Sequence, residues 1–166
     1  MNTDAAFAEF SRVLARSGAR DALAYLLGLS DFRFIGLFRF ENGMANAAIH
    51  FDRENPDVMS VAEVPDNTTY CCYVRDSKGT FTTAHAVADP RLSEHIARND
   101  PARDVVQAYC GVPIMDPEGQ VLGTLCHYDL VPRDPTRLNL ELLVRAASTL
   151  QQGNHVPPYP QPAAPV

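Results

Sequence analysis

The chain has no tryptophan, four cysteines in 166 residues and no long apolar run. Four thiols are too few for a disulfide framework. Cys71, Cys72, Cys110 and Cys126 also lack the C-x-x-C spacing of zinc sites, so no metal is expected. They read as small apolar side chains buried in a reducing compartment. The best apolar run, residues 23–29, falls far short of the roughly 18 residues a bilayer span requires, so no membrane is expected. Asp4 and Glu9 near the amino terminus, with no early basic cluster, argue against a signal peptide. A cationic surplus is missing too. The formal charge is -6 and the pI about 5.2, the wrong sign for a phosphate backbone, so nucleic acid is not an expected partner. There is no repeat, no glycine-rich phosphate loop, no H-E-x-x-H and no G-x-S-x-G elbow. The expectation is a soluble, cytoplasmic protein with no catalytic constellation.

With 46% hydrophobic and 20% charged residues, the composition is that of a globular chain of one-domain size. Phe7, Phe10, Val13 and Leu14 recur at helical spacing, with Thr3 or Asp4 as cap and Gly18 as stop. Residues 21–27 continue as a second short helix closed by Gly28. Runs 32–40 and 44–51 read as strands, joined at Asn42-Gly43, a strong hairpin signal. Runs 58–64, 70–75 and 80–85 are further strand candidates. Asp89-Pro90 and Asp100-Pro101 each place a capping residue before a proline, which predicts two short helices over 90–108. Runs 109–115 and 120–129 form the clearest hairpin. Asp134-Pro135 opens a last helix carrying Leu138, Leu142, Val144 and Leu150, with Gly153 as its stop. The proline-rich residues 154–166 read as an extended, flexible tail after a single domain over 1–153. This order gives an α+β fold, with an antiparallel sheet of about five or six strands.

Asp116-Pro117-Glu118-Gly119 suits a type I turn followed by a left-handed glycine. Asp116 would then pair with Gln120. That register sets Cys110 opposite Cys126, Val112 opposite Thr124 and Tyr109 opposite His127. Side chains so opposed lie about 4.5–5.5 Å apart, which makes Cys110 and Cys126 redox candidates. A slip of one residue would send them to opposite faces. Both faces of the hairpin are apolar, with Val112, Ile114, Leu122 and Cys126 on one and Pro113, Met115, Val121 and Leu125 on the other. A sheet covered on both sides is implied.

Tyr109-Cys110-Gly111-Val112-Pro113-Ile114, then Gly119, Gly123-Thr124-Leu125-Cys126, Asp129 and Pro132-Arg133, resembles the GAF family of sensory domains. Tyr70-Cys71, and Ala84-His85-Ala86 leading into Asp89-Pro90-Arg91, are similar to that family's upstream pattern. The resemblance implies helices from both chain ends on one sheet face and a ligand pocket on the other, under a cross-connection. It also implies a small-molecule ligand such as a cyclic nucleotide, tetrapyrrole or haem, and a homodimer through the terminal helices. Signalling output would then pass through a protein partner or the dimer. The Asn-Lys-Phe-Asp-Glu signature of cyclic-nucleotide-binding members is absent. Cys126-His127 falls on the terminal strand, unlike the bilin-bearing pair of phytochromes. No cofactor is therefore assigned.

The pocket walls expected from the resemblance and from strand alternation are Cys71, Tyr73, His85, Asp89, Tyr109, Cys126, Tyr128 and Asp129. Tyr70, Tyr73, Tyr109 and Tyr128 would each bury a ring and present a hydroxyl, which favours a polar-tipped ligand. His85 reads as a hydrogen-bonded wall residue and Asp89 as a helix cap. Arg91 and Asp129 would pair across the cover or be solvated. The leading expectation is a ligand-sensing regulatory domain that is not an enzyme. The alternatives are a thiol-dependent reductase or redox sensor like the free methionine sulfoxide reductases, and a structural dimerisation domain with an unused pocket.

Overall fold

A computed structural model describes residues 2–57, 64–65, 69–98 and 106–156. Helices α1 (Thr3–Ser17) and α2 (Ala19–Gly28) precede strands β1 (Phe34–Glu41), β2 (Met44–Asp52) and β3 (Val64–Pro65). Then come α3 (Cys71–Ser77), β4 (Phe81–Thr83), two 3-10 turns (Ala86–Ala88 and Pro90–Leu92) and α4 (Ser93–Arg98). Strands β5 (Ala108–Met115) and β6 (Val121–Asp129), a third 3-10 turn (Pro135–Arg137) and α5 (Leu140–Gln152) complete the order. The sheet runs β3-β2-β1-β6-β5-β4, and every pairing is antiparallel. Among the described residues no helix is long and apolar enough to cross a membrane.

Local chemistry accounts for most of these elements. Asn42 and Gly43 both take positive φ, 53° and 73°, as a tight hairpin turn between β1 and β2 requires. Asn2, and not Thr3 or Asp4, caps α1, its side-chain oxygen accepting from the amides of Asp4 and Ala5. Asp89 caps the 3-10 turn that Pro90 opens, as its sequence position predicts. Asp134-Pro135 opens only a 3-10 turn, and α5 starts later under its own cap, Asn139. The expected elements at 58–63 and at Asp100-Pro101, and tail residues 157–166, lie outside the described residues.

Run 70–75, expected as a strand, is the helix α3. Its β-forming composition is overridden by packing: Cys71 and Val74, one helical turn apart, both bury against the sheet.

The β5–β6 register also departs from expectation. The turn is as predicted: Gly119 has φ 83°, and the Asp116 amide donates to the Gln120 carbonyl at 2.9 Å. Met115 pairs with Val121, but Ile114 pairs with Gly123, leaving Leu122 as a bulge. Beyond it every partner is shifted by one, so Cys110 pairs with His127, Gly111 with Cys126 and Tyr109 with Tyr128. Cys110 therefore shares a face with Val112, Ile114 and Leu125, while Cys126 points to the other. The two cysteines are not neighbours across the strands.

The helix-side core joins Phe10, Leu23, Leu142 and Leu150 to Ile35, Leu37, Val112 and Leu125. Phe10 and Leu142 are 0% and 4% exposed and hold α1 and α5 onto the sheet, so neither is free for a dimer contact. On the opposite face, α3 and the 3-10 cross-connection bring Cys71, Val74, Ala86 and Leu92 against Phe38, Tyr109 and Cys126.

Candidate functional site

The face under α3 and the cross-connection gathers most of the chemistry-bearing side chains. Strand alternation points Phe34 and Phe38 of β1, His50 of β2, Tyr109 of β5, and Thr124, Cys126 and Tyr128 of β6 the same way. Cys126 has glycine on both sides within the sheet, Gly36 on β1 and Gly111 on β5. The Tyr109 ring lies over Gly111, where a Cβ would stand 2.3 Å from its hydroxyl oxygen. The Phe38 ring covers Gly36 in the same manner. Cys126 thus sits between two rings.

From the cover, Cys71 closes over this row. Its sulfur accepts hydrogen bonds from the Tyr109 hydroxyl and the Thr124 hydroxyl, each at 3.2 Å. Hydrogen bonding, counted first toward Cys126 and then toward Thr124 and Tyr109, outweighs burial and lowers the Cys71 thiol below its usual range. Cys126 is pushed well up, by burial first and by Cys71 second. Burial also raises Tyr109. The dithiol is asymmetric, with Cys71 the readier to ionise.

A second polar pair stands beside the thiols. The His50 Nε2 and the Tyr128 hydroxyl are hydrogen-bonded, and Tyr128 stacks on Phe34 with ring centroids 4.5 Å apart. His50 is 3% exposed and packs against Phe34 and Phe38. Its Nδ1 is buried without a hydrogen-bond partner among the described residues. Burial depresses the His50 pKa to about 4, so the imidazole is neutral at pH 7. Further rings continue the surface: Tyr73 stacks on Phe81 at 4.7 Å, and Tyr70 meets Tyr109 edge-on at 5.9 Å.

Of the expected wall residues, Cys71, Tyr109, Cys126 and Tyr128 converge here, and Tyr73 lies at the edge of the same cluster. His85 is exposed ahead of the first 3-10 turn and makes no side-chain cap hydrogen bond. Asp89 accepts from the Thr83 hydroxyl at 2.8 Å and pairs with Arg91, whose side-chain hydrogen bonds hold its carboxyl below the usual range. Asp129 accepts from the amides of Arg33, Leu130 and Val131 and from Arg133 Nε. Arg91 and Asp129 therefore have separate partners and do not pair across the cover. His127 points to the helix side, where it packs on Phe32 and contacts the Phe34 carbonyl. It reaches a cavity of about 170 Å³ lined also by Leu26, Ser30, Asn139 and Leu142. His50 and Thr124 were missed as site residues in the sequence; alternation from Cys126 would have placed Thr124, whereas His50 reaches this face only through the β1–β2 bulge beside Leu37 and Phe38.

This architecture, an antiparallel sheet with terminal helices behind and a helical cover in front, is the α+β class expected from the order of elements, with the layering the family resemblance implied. The chain belongs to the GAF domain family, which it matches over residues 7–152. It is 32% identical over 78 residues to a cyclic di-GMP phosphodiesterase of Pseudomonas aeruginosa; the match spans 46% of this chain and 13% of that protein. Its fold is similar to the GAF domain of the Acinetobacter phosphoenolpyruvate-protein phosphotransferase, at 12% identity and a TM-score of 0.70, covering 92% of this chain and 93% of that one. It is also similar to the free methionine-R-sulfoxide reductase of Neisseria meningitidis, at 14% identity and a TM-score of 0.66, covering 90% and 86%. GAF domains typically bind small ligands in signalling proteins.

Proposed function

We propose that the domain is a cytoplasmic ligand sensor whose ligand docks on the aromatic face under α3 and the cross-connection, and that it acts by binding, without catalysis. The observation that carries this reading is the His50 Nδ1, a buried polar atom that has no hydrogen-bond partner among the described residues and lies among aromatic rings. Such a group costs about 1–3 kcal/mol unless a partner arrives, and a ligand is a partner. Polar groups on this face include the neutral His50 imidazole and the hydroxyls of Tyr128, Tyr109 and Thr124, with His95 packed on Tyr70 and Tyr73 at its edge. Asp52 at the rim is already engaged by Arg33 at 2.8 and 2.9 Å. Uncharged partners and stacked rings favour a neutral, planar molecule with a hydrogen-bonding edge. Native mass spectrometry of freshly purified protein tests this. A small molecule retained by wild type and lost from His50→Phe is the expected result. Equal retention by both, with binding elsewhere, would overturn the placement.

The reading includes output through a homodimer or a protein partner. Leu140 and Val144, one turn apart on α5, remain 38% and 49% exposed and support a contact between terminal helices. Light scattering should give a dimer mass for wild type and a monomer mass for Val144→Glu. A monomeric wild type would leave partner binding as the route of output.

A further inference from the structure

The four cysteines are not equivalent. Cys110 lies on the helix side of the sheet, whereas Cys71 and Cys126 share the opposite face within one buried cluster, and Thr124, two residues before Cys126 on β6, reaches the Cys71 sulfur. Two hydroxyls, from Tyr109 and Thr124, donate to the Cys71 sulfur at 3.2 Å each. Donors converging on a sulfur favour its thiolate, the nucleophilic form. Glycine on both sides of Cys126 within the sheet puts no larger side chain at either paired position, and α3 supplies Cys71 from above.

We propose that Cys71 and Cys126 form a peroxide-oxidisable dithiol in which Cys71 attacks and Cys126 resolves. With 3% and 0% of their surface exposed, the two thiols call for a small oxidant, which hydrogen peroxide is and a bulky disulfide is not. The Cys71 sulfur attacks one peroxide oxygen and the O–O bond breaks. The departing hydroxide takes the thiol proton and leaves as water, and Cys71 becomes a sulfenic acid. The Cys126 sulfur then attacks the Cys71 sulfur, the S–O bond breaks, and hydroxide leaves with the Cys126 proton as a second water. Two thiols have given up two electrons and two protons, and one peroxide has become two waters. The resulting bond ties α3 to β6, locking the cover onto the sheet.

The experiment is peroxide titration of the fully reduced chain, read by intact mass and by peptide mapping without reductant. One peroxide equivalent should remove two hydrogen masses and link the peptide of Cys71 to that of Cys126. Cys72→Ala and Cys110→Ala should form the same link. Cys126→Ala should instead stop at a Cys71 sulfenic acid, one oxygen mass heavier and captured by dimedone when the chain is unfolded in its presence. Tyr109→Phe, which removes one donor from the sulfur, should slow oxidation about tenfold while the circular dichroism stays native. A link between any other pair, no link in a folded wild-type chain, or a dimedone adduct on Cys126 alone in the wild type would overturn the assignment. Ligand retention by the His50 assay is read separately, so failure here leaves the sensor proposal standing.

Discussion

Tyr109 and Gly111 are two residues apart on β5, and the ring of the first fills the space a side chain on the second would occupy. A Cβ at position 111 would meet the Tyr109 hydroxyl oxygen at 2.3 Å and two ring carbons at 2.7 Å. The ring is not free to swing away at no cost, because its hydroxyl is committed to the Cys71 sulfur. Gly111→Ala is therefore expected to destabilise the fold by about 2 kcal/mol, in the range of overpacked cores. Urea denaturation followed by circular dichroism measures it. In a Tyr109→Ala background the same substitution should cost much less, since the clash is gone. Equal cost in both backgrounds would mean that the ring does not set the glycine.

Asp129 is expected to matter more to stability than Asp89, although both carry an arginine partner. The Asp129 side chain is 3% exposed and satisfies three backbone amides besides Arg133, at the point where β6 ends and the start of β1 docks. Asp129→Asn leaves buried donors facing an amide and should cost about 3 kcal/mol. Asp89 braces one 3-10 turn, and its partner Arg91 is more than half exposed. Asp89→Asn should cost about 1 kcal/mol. Denaturation midpoints that reverse this order would show that the Asp129 network is not the stronger brace.

How far the sequence disclosed these features depended on how local each one is. Asn42-Gly43 and Gly119 declare their turns because positive φ is a property of the residue itself. The terminal helices were legible for the same kind of reason, as apolar residues at Phe10, Leu14 and Leu142 follow the helical period. The bulge at Leu122 was not. Val121 and Leu122 are both apolar and either could continue the strand. What decides between them is the approach of β1, since a Cβ at Gly123 would stand 1.9 Å from the Phe38 carbonyl oxygen. That contact is long-range, and it moves every β6 side chain beyond it to the other face. The Cys71–Cys126 pairing was hidden for a similar reason, because it needs run 70–75 to be a helix laid across the sheet.

Acid should weaken the protein in a window set by two buried histidines. His50 and His127 are 3% and 1% exposed, and burial holds both near 4 in place of the usual 6.5. Between those values the unfolded chain binds protons that the folded chain refuses, so stability falls as pH drops from about 6.5 to about 4. The gap bounds the loss at about 3 kcal/mol for each histidine. Asp52 and Asp89 act in a different range. Hydrogen bonds from Arg33 and Arg91 hold their carboxyls below the usual values, so their stabilisation is intact above about 4 and is lost only under it. Urea midpoints measured from pH 7 to pH 4.5 should fall for wild type and fall less for His127→Gln. An identical slope in that variant would remove His127 from the account.

Cys110 should behave as core and not as chemistry. It is 0% exposed among Val112, Ile114 and Leu125, and burial alone pushes its thiol up to about 12. Alkylation of the reduced native chain should reach Cys71 before Cys110, and Cys110 only at the rate of global unfolding. Substitution separates the same two roles. Cys110→Ala removes one sulfur from a packed site and should cost about 1 kcal/mol. Cys110→Ser keeps the size closer but places a hydroxyl among Val112, Ile114 and Leu125, with His127 paired across the strands as a polar neighbour, and should cost about 1 to 2 kcal/mol. If serine proves the milder replacement, the His127 beside it on β6 accepts the hydroxyl; if iodoacetamide labels Cys110 in chains that stay folded, the residue has solvent access that a packed helix-side core would deny it.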